Sequence, residues 1–218
     1  GTLSDLWNSL DFSAMLSALM RLIAVFLCLT VHETCHGLAA YALGDPTAKR
    51  ERRLCLNPLH HIDWVGIACM LVLGFGWAKP VPVDMRYFKK PKQGMALTAL
   101  AGPVSNFVLA LLALLCARLV YHQYGALWDF IFDLLLTTAY LSVGLGLFNL
   151  IPISPLDGSK VLFAFLPDSA YEKLMRYEKY GMIALLILVW LGVGDNVLST
   201  AIYNVYAAMI NFVFRGIV

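Results

Sequence analysis

Charged residues are scarce in this chain of 218 residues. Asp, Glu, Lys and Arg make up only 14% of it and 60% is hydrophobic, whereas soluble domains average about 25% charged and roughly 45 to 50% apolar residues. The formal net charge of +2 is too small to indicate a nucleic-acid partner. Because the apolar excess is spread along the whole chain, we expect a polytopic protein embedded in a lipid bilayer.

Paired cysteines are also missing. The five cysteines contain no CxxC pair, and most of them lie in apolar surroundings. Such thiols pack like small hydrophobic side chains, so no disulfide framework is expected. The sequence also lacks internal repeats and low-complexity tracts, which excludes a repeat architecture.

The apolar segments predict an all-α polytopic helical bundle of about five to six transmembrane segments, since a spanning helix needs roughly 20 apolar residues. The segments are Ser13–Leu43, Gly94–Tyr121, Leu127–Ile151 and the C-terminal pair Gly181–Leu191 and Val197–Phe214. The piece Trp64–Trp77 is too short to span, so we expect it to enter the membrane and return. Pro80 and Pro82 then exclude a helix interior and favour an extended strand or hairpin at the membrane surface.

Basic residues lie between these segments mainly on one side. The positive-inside rule assigns that side to the cytoplasm. The residues concerned are Lys49, Arg50, Arg52, Arg53, Lys79, Arg86, Lys89, Lys90, Lys92, Lys173, Arg176, Lys179 and Arg215.

Two histidines and a glutamate interrupt the first apolar segment in VHETCHG. His32 and His36 are four residues apart, so one helix face can present both imidazoles to one metal ion. Glu33 is turned by about 100° from His32, close to that ion without being a ligand. The alternative is a set of polar residues satisfied inside the bundle or beyond the membrane. Three ionisable residues within one apolar helix are costly, which favours the metal site.

The third protein ligand expected of a catalytic zinc ion is absent from the next helical turns. The metzincin extension would need Gly and His where the chain has Ala39 and Ala42. Glu51 lies among basic residues, which favours an ion pair. Asp157 is the better candidate, because prolines just before it break a helix and can direct its carboxylate into the bundle.

Five sequence elements follow one another between Val31 and Lys160: HETCHGLAAYALGD, LNPLHHID, FGWAKPVPV, AGPVSN and FNLIPISPLDG. In this order they resemble the site-2 proteases, intramembrane zinc metalloproteases that cut transmembrane segments of other proteins. The resemblance implies that His32, His36 and Asp157 bind one Zn²⁺ per chain and that Glu33 is the catalytic base. It also implies a transmembrane protein substrate. The predicted orientation places the active site nearer the cytoplasmic face, and we expect a prokaryotic cell membrane. A regulatory membrane partner is a further candidate.

Two asparagines are further candidates for the site. The resemblance places Asn106 on a core helix facing the active site, where its amide would stabilise the oxyanion or orient the substrate. The alternative, given equal weight, is that Asn106 and Ser105 form hydrogen bonds between helices and contribute only to packing. Asn149 would contact the substrate or support the bend that presents Asp157.

The stretch from Trp77 to Val83 has two interpretations. Its exposed edge, with Trp77, Val81 and Val83, would pair with a substrate unwound from its helix. Otherwise it is an amphipathic loop anchored by Trp64 and Trp77. Upstream of it, His61 and Asp63 are expected to satisfy each other or the nearby backbone in a fixed turn.

We therefore expect residues 1–218 to form a single integral-membrane metalloprotease domain, with core motifs at 31–160 and a C-terminal helix pair at 180–215. It would hydrolyse peptide bonds within or near transmembrane segments. One alternative is a metal transporter with a transit site at His32, His36 and Asp157, but no further ligands mark a path through the membrane. Another is an inactive substrate-binding scaffold, against which the intact Glu33 argues.

Overall fold

The computed structural model of the chain describes residues 12–66, 69 and 77–216, and its regular structure is helical. The α-helices are α1 (Phe12–Ala42), α2 (Thr47–Arg50), α3 (Pro91–Val120), α4 (Ala126–Asn149), α5 (Asp157–Phe163), α6 (Asp168–Arg176), α7 (Glu178–Trp190) and α8 (Asp195–Val213). Two short 3-10 turns cover Pro58–His61 and Met85–Tyr87. The predicted all-α fold is confirmed.

Three of these helices are long and apolar enough to cross a membrane. They are α1 with 31 residues, α3 with 30 and α4 with 24. Tyr180–Trp190 and Asp195–Val213 meet at 86° and count together as a fourth candidate span. The described part of the chain thus contains three or four candidate spans, fewer than the five to six segments expected from hydropathy.

The piece Trp64–Trp77, expected to enter the membrane and return, lies largely outside the described residues. The prediction of a strand or hairpin after it is wrong, because residues 77–84 adopt neither helix nor strand. Pro80 and Pro82 have no N–H to donate to a neighbouring strand. The N–H groups of Val81 and Asp84 donate instead to the carboxylates of Glu33 and Asp45.

The three long helices pack against one another, with α3 also contacting α5 and α8. Small side chains line these contacts, which lets the helix backbones approach closely. The buried cluster contains Ala110, Ala113, Leu114 and Ala117 of α3, Ala139 and Val143 of α4, and Val213 and Phe214 at the end of α8. Because α3 contacts both α1 and α5, the start of α5 lies close to the motif of α1.

The turn after α1 connects that helix to the segment at 77–84. Gly44 has a φ of +108°, and the N–H of Asp45 donates to the carbonyl of Ala40 at 2.9 Å, as in a Schellman motif. The Asp45 carboxylate is fully buried and accepts hydrogen bonds from Thr47 and from the N–H of Asp84, the latter at 2.7 Å. The C-terminal end of α1 and residue 84 are therefore held together.

Candidate metal centre

His32, His36 and Asp157 come together between α1 and the first turn of α5. The two Nε2 atoms are 3.0 Å apart, and each lies close to Asp157 Oδ2, at 3.1 Å from His32 and 3.2 Å from His36. All three side chains are buried. They form a group whose ligand atoms can share one metal ion, and they are the three ligands predicted from the sequence.

The orientation of the His36 ring is set by the backbone of α3. Its Nδ1 lies 2.7 Å from the carbonyl oxygen of Thr98. A carbonyl oxygen only accepts hydrogen bonds, so Nδ1 carries the hydrogen and donates it. In the neutral ring Nε2 is then a bare lone pair, directed at His32 and Asp157.

The His32 ring is oriented by a side chain of α3. Its Nδ1 lies 2.6 Å from Asn106 Oδ1. Asn106 Nδ2 donates to the carbonyl of Cys28 at 3.3 Å and to Ser142 Oγ at 3.2 Å, so Oδ1 is the acceptor and His32 Nδ1 the donor. The Nε2 atom of His32 is thereby also left as a lone pair, the tautomer that a metal ligand needs.

Asp157 Oδ2 is buried and has no hydrogen-bond donor within the described residues. Two imidazole lone pairs and one carboxylate oxygen therefore point at one another without a proton between them when both rings are neutral. A cation bound among these three atoms would offset their mutual repulsion. Two histidines and one acidic residue are also a donor set of catalytic zinc sites, so the residues fit a zinc ion.

Gly102 of α3 allows these rings their position. A Cβ atom at Gly102 would lie 2.4 Å from His36 Nε2 and 2.6 Å from His32 Cε1. No side chain fits there without displacing both imidazoles. Gly102 belongs to the AGPVSN element, and no role was predicted for it. The only signal in the sequence is a Gly-Pro pair inside an apolar helix.

The position of Asp157 depends on a close backbone contact between α4 and α5. A Cβ atom at Gly158 would lie 2.2 Å from the carbonyl oxygen of Leu150, just after α4. Ser159 Oγ donates to the carbonyl of Leu156 at 2.7 Å, which closes the first turn of α5. The glycine after Asp157 therefore lets the start of α5 rest against the end of α4.

Glu33 stays outside the group of three and lines a cavity of about 300 Å³ together with it. Its Oε2 accepts a hydrogen bond from the N–H of Val81 at 3.0 Å. The predicted substrate-binding residues Trp77, Val81, Val83 and Asn149 line the same cavity. The structure thus places a carboxylate and apolar walls around the candidate metal site.

Asn106 lies behind His32, fully buried, and does not line that cavity. Both amide hydrogens have acceptors on α1 and α4, which leaves none for an oxyanion. Its cross-helix hydroxyl partner is Ser142, while Ser105 donates to the carbonyl of Gly102 within α3. Asn149 donates to the carbonyl of Leu145 one turn earlier in α4.

His61 and Asp63 form hydrogen bonds with nearby backbone groups, which is one of the two arrangements expected from the sequence. His61 Nε2 donates to the carbonyl of Cys55 at 3.0 Å, and the His61 carbonyl accepts from the N–H of Lys79 at 2.8 Å. Asp63 accepts from the N–H groups of residues 65 and 66 and from Trp77 Nε1 at 3.3 Å. This turn therefore fixes the start of the segment that lines the cavity.

Comparison with known proteins adds independent evidence. The model of "Peptidase family M50" matches residues 118–192, which include Asp157 but not the histidines. The chain is 40% identical over 181 residues to "Putative zinc metalloprotease YwhC" of Bacillus subtilis, covering 81% of this chain and 82% of that protein. It is 27% identical over 167 residues to "Putative zinc metalloprotease Rip2" of Mycolicibacterium smegmatis, covering 74% of this chain and 62% of that protein.

No solved structure matches the chain. The similarity to YwhC nevertheless extends over most of both proteins, and the buried His32, His36 and Asp157 group agrees with a zinc site. The candidate spans make it an integral membrane protein. The chain belongs to peptidase family M50 and is an intramembrane zinc metalloprotease.

Proposed function

We propose that His32, His36 and Asp157 hold one Zn²⁺ per chain and that Glu33 is the general base for hydrolysis of transmembrane protein substrates. The observation that carries this proposal is the convergence of three buried ligand atoms 3.0 to 3.2 Å apart. Asp157 Oδ2 lacks a hydrogen-bond donor among the described residues, so a cation explains its position.

Glu33 is suited to carry the proton between the two halves of the reaction. Zinc, when bound, supplies Lewis acidity that acidifies water and stabilises negative charge on the scissile carbonyl. Glu33 takes the proton of the attacking water and gives it to the leaving amide nitrogen. One of its oxygens accepts the Val81 N–H, which restrains the carboxylate. The second oxygen has no hydrogen bond to the described residues and would exchange the proton.

Asn106 is proposed as a positioning residue. Its Oδ1 holds the hydrogen of His32 Nδ1 and so keeps the ligand nitrogen of that ring deprotonated. The role in oxyanion stabilisation expected from the sequence has less support, because both amide hydrogens are already donated to Cys28 and Ser142.

The substrate is proposed to reach the cavity as an unwound stretch of a transmembrane segment, since an intact helix shields its own carbonyl groups. Trp77, Val83 and Asn149 line the cavity and are candidate contacts. Val81 is a candidate through its side chain, because its N–H is donated to Glu33. Pairing of a substrate strand with Val81 would have to replace that hydrogen bond.

The site is proposed to lie near the cytoplasmic face of a prokaryotic cell membrane, which agrees with the bacterial relatives. Ala42 ends α1 six residues after His36, or about 9 Å further along the helix axis. The basic residues of the next loop are typical of cytoplasmic loops. Five of the five to six expected segments are accounted for if α7 and α8 cross separately. A regulatory membrane partner also remains part of this proposal.

Glu33→Gln tests the proposed base in the purified full chain. We expect it to keep its zinc content and to lose cleavage of a single-pass model substrate, because glutamine cannot exchange the proton. His36→Ala and Asp157→Ala should lose zinc as well as cleavage. Glu51→Gln, at an exposed position of the loop after α2, is the matched control and should behave like the unchanged protein. Cleavage at the normal rate by zinc-loaded Glu33→Gln would exclude Glu33 as the base.

A further inference from the structure

Arg53 differs from its basic neighbours in the connection after α1, which consists of α2 and the loop that follows it. Lys49, Arg50 and Arg52 are exposed, as expected for residues that set membrane orientation, but Arg53 is only 7% exposed. No ion pair joins it to a carboxylate among the described residues. A buried charge without an opposite charge is costly, so its other contacts have to offset the lost hydration.

These contacts are two backbone carbonyl groups of the segment that lines the cavity. Arg53 Nη2 donates to the carbonyl oxygen of Lys79 at 2.8 Å and to that of Pro80 at 3.2 Å. The backbone of Arg53 is itself fixed, since its N–H donates to the carbonyl of Ala48 at 2.9 Å. The guanidinium group thus joins the loop after α2 to residues 79 and 80.

The same peptide group connects Arg53 to Glu33. The carbonyl that Arg53 binds on Pro80 and the N–H that Glu33 accepts from Val81 belong to one peptide unit. A peptide unit is planar, and in the trans form its C=O and N–H point in opposite directions. Fixing the oxygen therefore fixes the direction of the N–H, and a cation at the oxygen also strengthens that N–H as a donor.

We propose that Arg53 is a positioning residue for the catalytic base: it holds the Pro80–Val81 peptide so that the Val81 N–H fixes the Glu33 carboxylate beside the metal site. This inference rests on the proposed role of Glu33. The prolines at 80 and 82 support it, because they restrict the backbone on both sides of Val81. The N–H of Lys79 and that of Asp84 are also bound, to His61 and Asp45, so both ends of the segment are fixed.

Arg53→Gln and Arg53→Lys test this role in the purified, zinc-loaded full chain with a single-pass model substrate. We expect Arg53→Gln to lower kcat by about tenfold or more, since small displacements of a catalytic group can cost up to about 10²-fold. KM and zinc content should stay at their normal values. Arg53→Lys should recover part of kcat, because an ammonium group can still donate to a carbonyl. Arg50→Gln, on an exposed residue at the end of α2, is the matched control.

A double variant separates an action through the peptide from an independent effect. Val81→Pro removes the N–H that Glu33 accepts and should lower kcat by itself. The double variant Arg53→Gln, Val81→Pro should then be no slower than Val81→Pro, because both changes interrupt one connection. Independent, multiplicative losses would overturn the proposal.

Two further outcomes would also overturn it. One is a normal kcat in Arg53→Gln. The other is loss of zinc or of the folded state in both Arg53 variants, which would make Arg53 a structural residue only. If only Arg53→Gln fails to fold, Arg53→Lys decides, with a lowered kcat at normal KM and zinc content expected. The Glu33→Gln result tests the base itself, so a failure of the Arg53 inference is distinguishable from a failure of the proposed function.

Discussion

The two sides of the candidate metal centre are held in different ways. His32 and His36 lie on one helix, and each ring makes a hydrogen bond from its far nitrogen to α3, at 2.6 Å to Asn106 and 2.7 Å to Thr98. Asp157 lies at the start of a short helix, and its Oδ2 has no hydrogen-bond donor in the part of the chain that the structure describes. Its position comes from the backbone contact of Gly158 with Leu150.

This difference predicts how each side responds to mutation. Hydrogen bonds at the rear of a ligand ring orient it and set its tautomer, so their loss weakens metal binding while the backbone stays in place. A close contact between two backbones cannot be lost while the backbone stays in place, because closely packed interiors do not deform continuously. We therefore expect the aspartate side to fail completely and the histidine side to fail gradually.

The largest effect is expected from Gly158→Ala. Its Cβ would meet the Leu150 oxygen at 2.2 Å and the Leu150 carbonyl carbon at 2.5 Å, and neither can move without shifting α4 or α5. We expect zinc binding to be lost and stability to fall by about 3 kcal/mol. Zinc content and thermal unfolding of the purified protein measure these two effects.

Gly102→Ala makes the comparison from the histidine side. Its Cβ would meet side-chain atoms of His36 and His32, which can shift, so zinc affinity should fall without complete loss and the thermal transition should stay closer to normal. Gly144→Ala is the control for both changes, because its nearest atom would be Ile202 Cδ1 at 3.5 Å, an ordinary contact. Normal zinc content in Gly158→Ala would show that the close contact between Gly158 and Leu150 does not hold α5 in place.

A smaller effect is expected from Asn106→Ala. Removing the acceptor of His32 Nδ1 should lower zinc affinity by about 10- to 100-fold, the usual range for a residue that orients a metal ligand. Asn106→Asp keeps an acceptor and should retain more of the affinity. Competition with a chromophoric chelator measures both variants, and Ser105→Ala, whose hydroxyl bonds within α3, is the control. Unchanged affinity in Asn106→Ala would remove Asn106 from the support of His32.

Sequence reasoning identified the parts of the centre that depend on local spacing. His32 and His36 lie on one face because four residues make about one helical turn. Asp157 was found from the helix break before it and from the family resemblance, and the structure brings it to the histidines. The contacts between helices were not predicted. Gly102 is needed because α3 passes close to both imidazole rings, and the spacing of residues within one helix does not reveal such a distance.

The errors in the fold have similar causes. Hydropathy recognises apolar segments but not the 86° angle between the two C-terminal helices, so it does not show whether they cross as one span or as two. The expected strand does not form, because two N–H groups of residues 77–84 donate to the carboxylates of Glu33 and Asp45. Arg53 was predicted only as one of the basic residues that set the membrane orientation. Sequence composition does not show which residue of a basic segment is buried.

The smallest effect is expected from Thr98→Val, and it completes the comparison. His36 is oriented by the backbone carbonyl of Thr98, which the substitution keeps. The Thr98 hydroxyl is buried and has no hydrogen-bond partner within the described residues, so replacing it by a methyl group of similar size should raise stability by about 1 kcal/mol. Zinc affinity should be unchanged in the same chelator assay.

The contrast between Thr98→Val and Asn106→Ala separates the two histidines. Both rings are held through Nδ1, but only His32 depends on a side chain that substitution can remove. A tenfold loss of zinc affinity in Thr98→Val would mean that the hydroxyl supports the centre and that the carbonyl contact is insufficient. An unchanged affinity implies that side-chain substitutions underestimate how firmly His36 is held, because its support belongs to the backbone of α3.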